Sequence, residues 1–170
     1  MKKEAIIAVI VASLFMLVYI WFRFKDIRFG ASSVVALIHD VLVVLAFYAV
    51  AKVSVGTTFI ACMLTIVGYS INATIVIFDR VRENMAVMGK RDTLEDMVNN
   101  SITQTLSRSI FTSLTTFVMV AALYVFGVSS VKEFALPLMV GILCGTYSSV
   151  CITGAFWLVL RKKFPQKVED

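Results

Sequence analysis

Five stretches of the chain are apolar for long enough to cross a bilayer, at residues 5–22, 29–51, 57–78, 109–131 and 134–160. A helical crossing of about 30 Å of hydrocarbon takes roughly 17–25 residues, and each stretch meets that requirement. The third is preceded by Val-Ser-Val-Gly, which reads as a turn. No strict apolar/polar alternation occurs, so a barrel is disfavoured and a helical bundle expected. Residues 5–22 follow two lysines, as in a signal peptide. Their 18 apolar residues exceed a usual h-region, however, and no small-residue cleavage site follows. The expected fold is therefore an all-α polytopic transmembrane helix bundle of five spans in one domain, 1–170.

The polar remainder is concentrated between the third and fourth spans. There Thr93 precedes Asp96 by three residues, a helix-start signature. Leu94, Met97, Val98, Ile102 and Leu106 then recur at helical spacing, opposite Asp92, Glu95, Asn99, Asn100 and Gln104. This predicts an amphipathic helix over about 93–107, suited to the inner membrane surface or to a partner's groove, or serving as a solvated connector.

Composition sharpens the class. Of 170 residues 59% are hydrophobic and 16% charged, with a mean hydropathy of +0.90, which excludes disorder and an ordinary soluble enzyme. The net charge of +5 is distributed unevenly. Twelve of the 16 Lys and Arg fall after the first span, between the third and fourth, or in the tail. Only Lys2, Lys3, Lys52 and Lys132 fall on the other side. The positive-inside rule places the twelve in the cytoplasm, the C-terminus inside and the N-terminus outside. Two lysines at an external N-terminus are awkward for a chain that inserts unaided, so an upstream span of a longer protein is expected. Basic loops of this kind do not indicate nucleic-acid binding. Cys62, Cys144 and Cys151 lie in apolar stretches without CxxC spacing and read as small buried residues. One histidine excludes a His-rich metal centre, and no metal or other cofactor is expected.

Candidate chemistry is confined to polar groups inside the spans, where each ionisable side chain costs a few kcal/mol or more. Asp40 lies 12 residues past Arg28, about 18 Å along a helix, and His39 precedes it. A carboxyl at that depth is a candidate proton carrier, or an acid that glues helices together by a hydrogen bond. Ser70 and Thr74 share one face of the third span, and Asn72 and Asp79 another. Arg108 opens the fourth span among Ser107, Ser109, Ser113, Thr115 and Thr116, placed either to attract a carboxylate in the bundle or to reach lipid headgroups. Gly141 and Gly145 form a GxxxG pair ahead of Ser148 and Ser149. Walker A, HExxH and GxSxG motifs are absent, and no general base is at hand for a protease apart from His39, so an enzyme is not expected.

Residues 68–84 read Gly68-Tyr69-Ser70-Ile71-Asn72-Ala73-Thr74, an apolar run, then Phe78-Asp79-Arg80-Val81-Arg82-Glu83-Asn84. This block resembles the signature of the SecF protein-export subunits, Gly-Tyr-Ser-x-Asn-Asp-Thr followed by Phe-Asp-Arg-x-Arg-Glu-Asn. Ala36-Leu37-Ile38-His39-Asp40 and residues 100–116 resemble further SecF blocks, and the likeness runs over nearly the whole chain. It covers the later five spans of a six-span SecF. The resemblance implies an RND-like half-bundle of the SecD–SecF complex in a bacterial-type inner membrane. That complex assists polypeptides through the SecYEG translocon at the expense of the proton gradient. Its implied partners are SecD, SecYEG, membrane lipid and the translocating polypeptide. Protons would pass through polar residues between the two bundles, here Asp40, His39, Asn72, Thr74 and Arg108. The family's acidic residue in Asn-Asp-Thr is replaced by Ala73, which cannot carry a proton. That replacement raises the alternative of a scaffold that only docks SecD and SecYEG. A small-solute secondary transporter is weaker, because no paired broken helices surround a midplane site.

Overall fold

Asp26 opens the first described helix. Its carboxylate accepts the Arg28 backbone N–H at 3.0 Å and receives the Arg28 guanidinium through Nε and Nη2, both at 2.9 Å. One side chain thus caps the helix and holds a cation beside it. The computed structural model describes residues 26–53, 55–89 and 92–164, with isolated positions between 7 and 22. Four apolar rods follow one another: α1 (Ile27–Val50), α2 (Thr57–Ala86), α3 (Leu94–Phe126), and a fourth composed of α4 (Ser129–Tyr147), a π-helical turn (Ser148–Thr153) and α5 (Gly154–Lys163). All four are long and apolar enough to span a membrane, the shortest having 24 residues. Among the described residues all regular structure is helical. The span expected at 5–22 lies mostly outside the described residues; those of its positions that are described are helical and exposed.

Element boundaries differ from the pattern reading in three places. The segment 93–107 and the span from 109 form one uninterrupted helix of 33 residues. Ser107-Arg108-Ser109 changes polarity but contains no Gly or Pro to break the helix. The apolar stripe of its first turns packs inward, with Met97 and Val98 buried in the bundle. Thr93 caps this helix, accepting the Asp96 N–H at 3.1 Å. The following turn falls at Gly127–Val128, ahead of Lys132, which lies within α4. A Cβ on Gly127 would stand 2.3 Å from the Leu123 carbonyl oxygen, so only glycine fits there. Lastly, α2 continues to Ala86, which places Asp79–Asn84 on a helix emerging beyond the apolar zone.

Two apolar clusters build the core. One joins Phe29, Phe78, Val81, Met97 and Trp157, with Phe29 stacked on Trp157 at 5.0 Å and edge-on to Phe78 at 4.6 Å. The other joins Val44, Tyr48, Met63, Ile66, Leu138 and Ile142. Gly141 allows α4 to lie against α2, since a Cβ there would stand 2.5 Å from Ile66. Between the clusters, where α1, α2 and α4 come together, lies a polar layer.

Candidate functional site

Asp40 is at the centre of that layer and has no exposed surface. Four of its neighbours come from three different parts of the chain. Ser70 Oγ donates to Oδ2 at 2.5 Å from α2, and Ser148 Oγ donates to the same oxygen at 2.7 Å from the π-helical turn. Cys144 Sγ donates to Oδ1 at 3.4 Å, and His39 Nδ1 lies 3.1 Å from Oδ1. His39 and Asp40 diverge as adjacent helical positions must, with the imidazole partly exposed and the carboxyl enclosed. Gly145 lines the remaining side, where a Cβ would stand 3.6 Å from Oδ2. The π-helical turn sets Ser148 against the carboxyl while the chain continues to Trp157. Such widened turns recur at functional sites.

Each Asp40 oxygen therefore has two polar neighbours. As an anion Asp40 is held by donors, and when protonated it can give its hydrogen to a hydroxyl that rotates to accept. The carboxyl thus has hydrogen-bond partners from within the bundle in either protonation state. Donor atoms of His39, Asp40 and Cys144 lie within 4.8 Å of one another, near enough to hold a metal ion. Hydrogen bonds within the group already account for their approach. Cys144 is thus part of the polar layer, contrary to its reading as a small apolar residue, while Cys62 is buried in the core and Cys151 is exposed.

The other expected site residues do not converge on Asp40. Thr74 is buried but makes no hydrogen bond to it. Asn72 and Arg108 are exposed and meet in a second place, a partly open pocket of about 80 Å³ between α2 and α3. Ala73 forms part of its wall, with Ser109, Thr112 and Ser113 on the facing helix. The two helices run antiparallel, fastened on one side of the pocket by Asn84 to Ser101 at 2.8 Å and Arg80 to Gln104 at 2.5 Å. On the other side Tyr69 donates to Ser113 at 2.9 Å, and Thr146 reaches the same hydroxyl at 2.6 Å. In the signature block Arg80 also pairs with Glu83 at 2.7 Å, Phe78 is a core residue, and Arg82 and Glu83 are exposed.

The fold and its two polar sites define a polytopic helical membrane protein with a carboxyl sealed inside the bundle. The sequence model of the C-terminal part of the protein export membrane proteins SecD/SecF matches residues 1–163, and the chain belongs to this family. It is 44% identical over 170 residues to the protein translocase subunit SecF of Sebaldella termitidis, covering 99% of this chain and 55% of that one. It is also 44% identical to the SecF of Haemophilus influenzae, again over 99% of this chain and 53% of that one. The crystal structure of SecDF, a translocon-associated membrane protein from Thermus thermophilus, superposes with a TM-score of 0.89 at 42% identity. That superposition covers 96% of this chain and 22% of that chain. The chain spans about half the length of the curated relatives it matches.

Proposed function

We propose that this chain is the membrane part of a SecF-type translocase subunit, which works with SecD to assist polypeptide export through SecYEG using the proton gradient. The observation that carries this reading is the buried Asp40 carboxyl, bonded at one oxygen to hydroxyls from α2 and from the π-helical turn. Adding or removing a proton there changes which hydroxyl donates and which accepts, and so alters the balance between rods that meet at one atom. His39, half-exposed beside it, is the route by which a proton reaches or leaves the carboxyl. Arg108 faces the SecD bundle, where a carboxylate of SecD stands in for the one that Ala73 lacks. Lipid surrounds the exposed apolar faces, the N-terminus lies outside and the C-terminus in the cytoplasm. The protein is not an enzyme, and no cofactor is needed for this role.

Ala73 favours a second reading, a scaffold that docks SecD and SecYEG without moving protons. The two separate in proteoliposomes containing SecYEG, SecD, the export motor and this subunit, with export measured with and without a proton gradient. Transduction requires that Asp40→Asn remove the gradient-dependent part of export, and that Ala73→Asp leave it intact or raise it. Gradient dependence unchanged in Asp40→Asn overturns transduction and leaves the scaffold.

A further inference from the structure

The triangle formed by His39, Asp40 and Cys144 has the proportions of a coordination site. Nδ1 of His39 lies 3.1 Å from Oδ1 of Asp40, Oδ1 lies 3.4 Å from Sγ of Cys144, and Sγ lies 3.8 Å from Nδ1. Zinc bonds of about 2.0–2.1 Å to nitrogen and oxygen and about 2.3 Å to sulfur, spread tetrahedrally, separate neighbouring ligand atoms by about 3.3–3.6 Å. Each edge is therefore within about 0.3 Å of the matching edge of a zinc tetrahedron. Protons now lie between these atoms, and a cation can replace them with little movement. The surrounding bonds favour that use of the group. Ser70 and Ser148 hold Oδ2, which leaves Oδ1 turned toward the thiol and the imidazole. His39 is the open edge, with 36% of its side chain exposed, so an ion has a side from which to enter.

We propose that His39, Asp40 and Cys144 form a binding site for a thiophilic divalent cation, zinc or cadmium, which on binding pins α1 to α4. A thiolate and an imidazole select against magnesium and calcium, which take oxygen ligands. On binding, the thiol releases its proton to water, as does the carboxyl where it is protonated. Neutral His39 carries its remaining proton on Nε2, which frees Nδ1 to coordinate. Carboxylate and thiolate then balance the dication, and a filled site without net charge suits a buried, low-dielectric position. The fourth position, on the exposed side of His39, goes to water. The inference stands on coordination geometry and does not rest on proton transfer at Asp40.

The test is a cadmium titration of the full chain in phosphatidylcholine nanodiscs, read by the ultraviolet thiolate-to-cadmium charge-transfer band. It is repeated with cobalt(II), whose visible d–d bands report the coordination number. Cys151→Ser serves as the parent, because Cys151 is the exposed thiol while Cys62 is buried in the core. A band that saturates at one ion per chain and is unaffected by excess magnesium is expected, with the d–d intensity of four-coordinate cobalt. Cys144→Ser should remove the cadmium band. His39→Ala should weaken binding by about 100-fold or more, beyond the roughly 10–100-fold typical of a lost outer-shell partner. Both variants should retain the helical circular dichroism of the parent, and His39→Ala, at the open edge, answers the question even if Cys144→Ser does not fold. No band in the parent, or a band that survives Cys144→Ser, overturns the proposal. So does an affinity unchanged in His39→Ala, since a thiol acting alone would then be the ligand.

Discussion

Ser70 and Ser148 compete for one oxygen of Asp40, and that shared acceptor makes a sharp prediction. Ser70→Ala or Ser148→Ala leaves a buried carboxyl one donor short, which costs about 1–3 kcal/mol. Because both act on Oδ2, the double variant should depart from additivity by about 0.5 kcal/mol or more. A double-mutant cycle measured by urea unfolding in bicelles checks this, and strictly additive losses would show that the two hydroxyls do not act on a common atom. Asp40 itself was legible from the chain, because a charge amid apolar neighbours is expensive and therefore informative. Its partners Cys144 and Ser148 were not, since they lie 104 and 108 residues further on and only the packing of the rods aligns them. The family resemblance also grouped Asn72 with Asp40 as a proton-path candidate. Asn72 follows Ser70 by two positions, a rotation of about 200°, so it turns toward α3 while Ser70 turns toward α1.

At the scale of elements, periodicity located the apolar rods but not their ends. An apolar run carries no mark where a helix stops when the stop is made by backbone geometry. The end of α1 shows why. Lys52 takes a left-handed conformation, φ 51°, and the Val53 N–H returns to the Tyr48 carbonyl at 3.2 Å, which closes the helix in the manner usually reserved for glycine. Lys52→Gly should therefore stabilise the fold by about 0.5–1 kcal/mol, visible as a rise in the thermal midpoint of roughly 1–4 °C in detergent. A lowered midpoint would mean that the lysine side chain contributes more at that turn than its backbone strain costs. The π-helical turn was equally hidden. Ser148–Thr153 reads as ordinary helix in sequence, and its widening follows from matching Ser148 to Asp40 and Trp157 to Phe29 in the same rod.

For the whole molecule, the charge asymmetry counted along the chain becomes an arrangement in space. Arg28 reaches the Phe164 carbonyl at 2.7 Å, Lys162 pairs with Glu95, and Arg161 lies over the Trp157 ring at 5.3 Å. The start of α1, the start of α3 and the end of α5 thus meet at one basic end, while Lys52, in the turn after α1, and Lys132, near the start of α4, lie at the opposite end. Because α3 crosses from the first end to the second, two exposed positions flanking it report orientation directly. Asp92→Cys precedes the helix and Val128→Cys follows it. The native thiols lie within helices, away from the aqueous turns. If the basic end faces the cytoplasm, a membrane-impermeant maleimide added to intact cells should modify Val128→Cys and spare Asp92→Cys until the membrane is opened. The reverse pattern would turn the bundle over and place Arg108 and its pocket nearer the external surface. Equal labelling of both before permeabilisation would contradict a spanning α3 altogether.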